Sequence, residues 1–67
     1  QAILQAVARL RPEYREVVSL RYDQGLSYRE IAEVTGNSSG TVATWLHRAI
    51  EELREALKEN TSQEVIP

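Results

Sequence analysis

An all-α fold, a small four-helix domain containing a helix-turn-helix, is predicted by three observations. Apolar residues recur at spacings of three and four through successive segments. Gly25 and Gly36 punctuate that pattern where helices must end, and Ser27-Tyr-Arg-Glu30 forms a capping box ahead of a short apolar segment. A chain of 67 residues makes one domain. At this size it buries roughly 60% of the surface its unfolded form exposes, so the core is small and stability marginal. The helical domain is expected over residues 1–59, with a flexible C-terminal tail over 60–67.

Gln1 to Arg9 carries Ile3, Leu4 and Val7, with Leu10 following, which is an amphipathic helix pattern. Pro12 suits a first helical position, where its missing N–H costs nothing. The second helix runs from Pro12 to Asp23, with Tyr14, Val17, Val18 and Leu20 as packing residues. Gly25 fits its end, because glycine takes the left-handed conformation without a Cβ penalty.

Ser27-x-x-Glu30 opens the third helix, Tyr28 to Thr35. The Ser27 hydroxyl accepts from a first-turn N–H while the Glu30 carboxylate returns to the N–H of the cap. Ile31 and Val34 face inward, and Ala32 is small enough to let another helix backbone approach. Gly36-Asn37 makes the turn, with Ser38 as the next N-cap.

The fourth helix, Ser39 to Lys58, is the longest. Val42, Leu46, Ala49, Ile50, Leu53 and Leu57 form one apolar stripe. At about 100° per residue, Thr41, Thr44, His47, Arg48 and Glu51 fall on the other side. Tyr14, Tyr22 and Tyr28 are read as packing residues. Glu51–Arg54 and Glu55–Lys58 are helical neighbours of opposite charge on a solvated face. Asn60 to Pro67 is mostly polar and lacks periodicity, hence the expected tail.

Net charge is −2, the wrong sign for a simple nucleic-acid binder. Its distribution matters more. Residues 1–26 carry Arg9, Arg11, Arg15 and Arg21 against Glu13, Glu16 and Asp23, a balance of +1. Residues 27–48 are neutral, and 49–59 stand at −2, with Glu64 adding one more acid. The acid is therefore concentrated at the C-terminal end. There is no Cys, so neither a disulfide framework nor a thiolate metal site, which fits a reducing compartment. His47 is the lone histidine, so no metal role is assigned, and no cofactor is expected. No apolar run approaches the ~20 residues of a membrane span. No signal-peptide pattern stands at the N-terminus, and the start inside an amphipathic pattern is what a piece of a longer protein would show. No nucleophile–base pair, metal cluster or Gly-rich phosphate loop is present, so an enzyme is not expected.

Two strings together carry a resemblance. Leu10-Arg-Pro-Glu-Tyr-Arg-Glu-Val-Val-Ser-Leu-Arg-Tyr22 is followed, after a Gly turn, by Leu26-Ser-Tyr-Arg-Glu-Ile-Ala32; then come Gly40-Thr-Val42, Leu46-His-Arg-Ala49 and Leu53-Arg54. This closely resembles region 4 of bacterial sigma-70-type factors, particularly the extracytoplasmic-function (ECF) group, over about residues 4 to 57. The resemblance implies a bacterial cytoplasmic domain that recognises the promoter −35 element and docks on the β flap of RNA polymerase core, with an anti-sigma factor as a further partner. By position, it implies that Thr44, His47 and Arg48 face base edges. Ser39, Gly40, Thr41 and the helix N-terminal N–H groups hold phosphate, and Arg29 makes a backbone contact. The residue types agree. Helix N-termini attract phosphate, and Arg donates two bonds to guanine O6 and N7.

The chain departs from the family where Lys or Arg is usual at Ala43 and Arg is frequent at Trp45; both charges are absent. Thr35, Asn37 and Ser39 stand where apolar residues are favoured. Losing phosphate-neutralising groups flattens the salt dependence of DNA binding. Trp45 is therefore a candidate contact for a protein partner as well as a flank of the core. Two alternatives follow. One is a sigma-like protein-interaction module with weak or no DNA binding. The other is the DNA-binding domain of LuxR-type regulators, which shares a four-helix layout.

Overall fold

The computed structural model describes the backbone of residues 2–65 and the side-chain surroundings of residues 3–58. Four α-helices follow in order: α1 (Ala2–Arg9), α2 (Pro12–Val18), α3 (Tyr28–Thr35) and α4 (Ser39–Val65), with α2 running on into a π-helical turn over Ser19–Asp23. The expected all-α fold and its helix-turn-helix are both present. Gln1 lies outside the described residues.

Each boundary has a local cause. Pro12 stands at the start of α2, and the Arg15 N–H donates to the Arg11 carbonyl at 2.9 Å. In the π turn the Gln24 N–H reaches back five residues to the Ser19 carbonyl at 3.2 Å. Gly25, at φ +70°, then turns the chain. Ser27 caps α3 as its sequence demands: its hydroxyl accepts from the Glu30 N–H at 3.1 Å, and the Glu30 carboxylate accepts from the Ser27 N–H at 2.8 Å. At the far end Gly36 takes φ +73°, which lets the Asn37 N–H return to the Ala32 carbonyl at 3.0 Å, a Schellman closure. Ser38 then caps α4, its hydroxyl accepting from the Thr41 N–H at 3.1 Å.

The core has two clusters. Val17, Ile31, Ala32, Val42 and Leu46 form the first; Leu10, Tyr14 and Ala49 form the second. Val18 and Trp45 pack against both and so join them. α4 contributes to each cluster and packs on α1, α2 and α3. It is the spine of the fold. Burial of Val42, Leu46 and Ala49, with Ile50, Leu53 and Leu57 half-buried beyond them, follows the expected stripe.

Several inward assignments are corrected. Val34 is 63% exposed, because Ala32 is buried beside Ile31 and this turns the inner face of α3 by about 80° from the expected Ile31–Val34 direction. Ile3 and Leu4 are exposed, since α1 buries Ala6 instead, with Leu10 buried just beyond its end. Tyr14 is buried as expected, whereas Tyr22 and Tyr28 are exposed. The apolar stripe stops α4 near Lys58, yet its backbone stays helical to Val65. No Gly or Pro interrupts the chain between Glu59 and Val65, and the first helix breaker is Pro67. The stretch expected as a tail thus continues α4 as far as Val65, and residues 66 and 67 lie outside the described residues.

The capping box makes stability depend on acid. The backbone N–H of Ser27, and then its hydroxyl, hold the Glu30 carboxyl below its ordinary value of 4.5. A depressed folded pKa contributes stability above the unfolded value and loses it as pH falls through the folded one. Ser27→Ala is expected to cost about 1 kcal/mol at neutral pH and to flatten only in part the loss of stability below the ordinary glutamate range, because residue 27 keeps its backbone N–H. Urea denaturation at a series of pH values checks both.

Candidate nucleic-acid interface

The surface opposite the core on α4 is set by helical geometry. At about 100° per residue, His47 and Arg48 lie within about 60° of Thr44, whereas Val42, Leu46 and Ala49 lie roughly 140–160° away from it. Burying the second set must therefore expose the first. The structure agrees: Thr44, His47 and Arg48 are exposed while Val42, Leu46 and Ala49 are buried. The three exposed side chains occupy about 6 Å of helix axis, a length of a few stacked base pairs.

Ser39, Gly40 and Thr41 form the first turn of the same helix. Ser39 and Gly40 are exposed and Thr41 is half-buried. The Ser38 hydroxyl takes the Thr41 N–H, the Ser38 carbonyl takes the Val42 N–H at 3.0 Å, and the two hydroxyls of Ser38 and Thr41 lie 3.0 Å apart. The N–H groups of Ser39 and Gly40 precede these, at positions that a helix leaves without an intrahelical partner. A Cβ on Gly40 would meet only the Ser38 hydroxyl, at 3.9 Å. The fold itself therefore does not demand glycine there, and its small size keeps the helix end open from outside. Arg29 stands apart from this strip, exposed on α3 next to Tyr28.

Charge on this surface is sparse. Arg48 is the cation of the exposed α4 strip, and one turn on stands Glu51, which pairs with Arg54 at 3.5 Å. Both side chains of that pair are well exposed, so it contributes little stability, but it offsets the acid at the edge of the strip. Ala43 is half-buried, and Trp45 is half-buried with packing on both core clusters. With Val18, the indole thus joins the two clusters.

One feature escaped sequence reasoning. Ile3, Leu4 and Val7 of α1, Tyr22 of the π turn, and Ile50 and Leu53 of α4 line an apolar groove of about 590 Å³. Periodicity assigned most of these residues to the core. It carries no information on whether a neighbouring helix is there to cover them, and none covers Leu4 or Tyr22, which are 65% and 61% exposed. Among the described residues, no helix is long and apolar enough to cross a membrane.

Comparison with known proteins bears on what such a surface is for. The family described as "Sigma-70, region 4" matches residues 1–53. The chain is 42% identical over 59 residues to the ECF RNA polymerase sigma factor BldN of Streptomyces coelicolor, covering 88% of this chain and 22% of that protein. It is 43% identical over 56 residues to the RNA polymerase sigma-E factor of Streptomyces antibioticus, covering 84% of the chain and 31% of the relative. It is 38% identical over 66 residues to the RNA polymerase sigma factor YlaC of Bacillus subtilis, covering 98% and 38%. The chain thus spans between about a fifth and two fifths of the length of these relatives. The LuxR-type alternative is set aside by the family match. From the paired motifs, the helix-turn-helix and these matches, the chain belongs to the sigma-70 region 4 family, as a region 4 domain of the ECF type.

Proposed function

We propose that this domain binds promoter DNA at the −35 element through α4 and docks on the β flap of RNA polymerase core, so placing a sigma factor for transcription initiation. The observation that carries the DNA reading is the exposure of Thr44, His47 and Arg48 on the side of α4 opposite Val42, Leu46 and Ala49, behind a first turn left open by Gly40. In this reading Arg48 donates to a guanine edge in the major groove, while Thr44 and His47 contact neighbouring bases. Ser39, Gly40 and Thr41 hold phosphate with the helix N-terminus, and Arg29 holds the backbone from α3.

Docking on polymerase is supported by the apolar groove. It lies between α1, the π turn and the middle of α4, and an amphipathic helix of a partner seats its apolar face in such a groove. An anti-sigma factor would silence the domain by covering the groove or the α4 strip. The sparse charge favours joint action. Two Arg residues neutralise few phosphates, so DNA affinity alone is weak and polymerase must contribute the rest. A second reading, protein interaction without DNA binding, draws on the uncharged Ala43 and Trp45. Trp45 packed across both core clusters weakens its role as an exposed anchor.

Fluorescence anisotropy of the chain on −35-containing and scrambled duplexes tests the DNA reading. With about two phosphate-neutralising Arg residues, log K should fall against log salt with a slope near −2. Arg48→Ala should remove about 1–3 kcal/mol of discrimination between the duplexes; equal binding of the two by the unaltered chain would sink base reading. Gly40→Ala is expected to hold or raise thermal stability, the helix preference being worth up to about 1 kcal/mol, yet to weaken binding to both duplexes. Leu4→Glu changes an exposed residue, so it should leave the melt unchanged while abolishing capture of RNA polymerase core. Capture of core without measurable DNA affinity at low salt would establish the second reading.

A further inference from the structure

Arg21 lies in the π turn, outside the strip assigned to DNA. Its Nη1 donates to the Leu26 carbonyl at 2.9 Å in partly buried surroundings, and its guanidinium lies over the Tyr28 ring, 5.3 Å from the centroid. These two partners flank Ser27, the cap of α3. The Leu26 N–H donates to the Leu20 carbonyl at 3.0 Å, so both polar groups of the Leu26 backbone are held by the π turn. Besides this turn, α3 packs on α4 and shares a core cluster with Val17 of α2, so the turn is the point at which the start of the helix-turn-helix is fastened to the helices before it. The side chains of the turn divide accordingly. Tyr22 lines the apolar groove, whereas Leu20 packs on the core cluster that holds Ile31, and Arg21 grips the start of α3.

We propose that Arg21 is a positioning residue for DNA reading: by clipping Leu26 and Tyr28 it sets the angle at which α3 leaves the π turn, and so where Arg29 and the first turn of α4 meet phosphate. The guanidinium suits this role. Its planar fork donates along one edge while its face stacks on the ring, so a single side chain fixes both the loop and the first residue of the helix. Its charge is turned onto the protein's own groups rather than onto a ligand. This inference rests on the DNA-binding reading above.

The test is a double-mutant cycle of Arg21→Gln and Tyr28→Leu, read by anisotropy on the −35 duplex across a salt series at a temperature where circular dichroism shows each variant folded. Arg21→Gln should weaken binding roughly five-fold, the weight of one net hydrogen bond, with the salt slope unchanged. Tyr28→Leu should cause a similar loss, and the double variant should be no weaker than the weaker single one. A slope smaller in magnitude by about 0.9 in Arg21→Gln would overturn the proposal by making Arg21 a direct phosphate contact. So would losses that simply add, or unchanged affinity. Hydrogen exchange of the Glu30 and Ile31 amides gives a readout without DNA: faster exchange in Arg21→Gln supports the clip and unchanged exchange overturns it. Absence of DNA binding by the unaltered chain would instead overturn the promoter reading alone. If Arg21→Gln does not fold, Tyr28→Leu probes the same clip from its other end by slope and exchange.

Discussion

The structure depends on one constraint: a single helix, α4, must bury one side and offer the other. Val42, Leu46 and Ala49 recur every three or four residues and are fully or nearly fully buried. They close both core clusters. Because a helix turns through about 100° per residue, that burial leaves Thr44, His47 and Arg48 facing outward with no further specification. Packing and presentation are the two sides of one periodicity. α1, α2 and α3 each pack on α4, so the outward strip is held by the whole of a small core rather than by a loop.

Two clusters on one helix would hinge unless something joined them. Val18 and Trp45 do so, each touching both. The indole is large enough to reach from the Val42–Leu46 side to the Ala49 side, which gives a physical reason for an aromatic residue at this position. Trp45 adds to the core and carries no charge for phosphate. With Ala43 also uncharged, the domain keeps the geometry of a DNA-reading helix while the electrostatic drive toward DNA is small. Such a balance suits the proposed joint action with polymerase.

Helix ends are decided by individual residues. Ser27 and Glu30 satisfy each other's backbone N–H groups, Gly25 and Gly36 supply the two left-handed turns, and Ser38 closes the start of α4. All of these were legible from the chain, because capping is local chemistry within three or four residues. The π turn was not. It stands where α2 runs out toward the loop before α3, and no local residue pattern announces it.

The sequence by itself determined the four α-helices, the caps of α3 and α4, the turn of the helix-turn-helix, the buried stripe of α4 and hence its exposed strip, since each follows from periodicity or from contacts a few residues apart. It also carried the family, through two motifs in the right order. Only the tertiary structure decided which apolar residues stay uncovered. Ile3, Leu4 and Val34 have the same spacing as core residues, and they are exposed because burial of Ala6 and Ala32 rotates their helices. Likewise the groove between α1 and α4, the bridging place of Trp45, and the grip of Arg21 on Leu26 and Tyr28 exist only once the helices are packed. They join residues from different helices and loops, whose relative placement depends on how the whole core is filled.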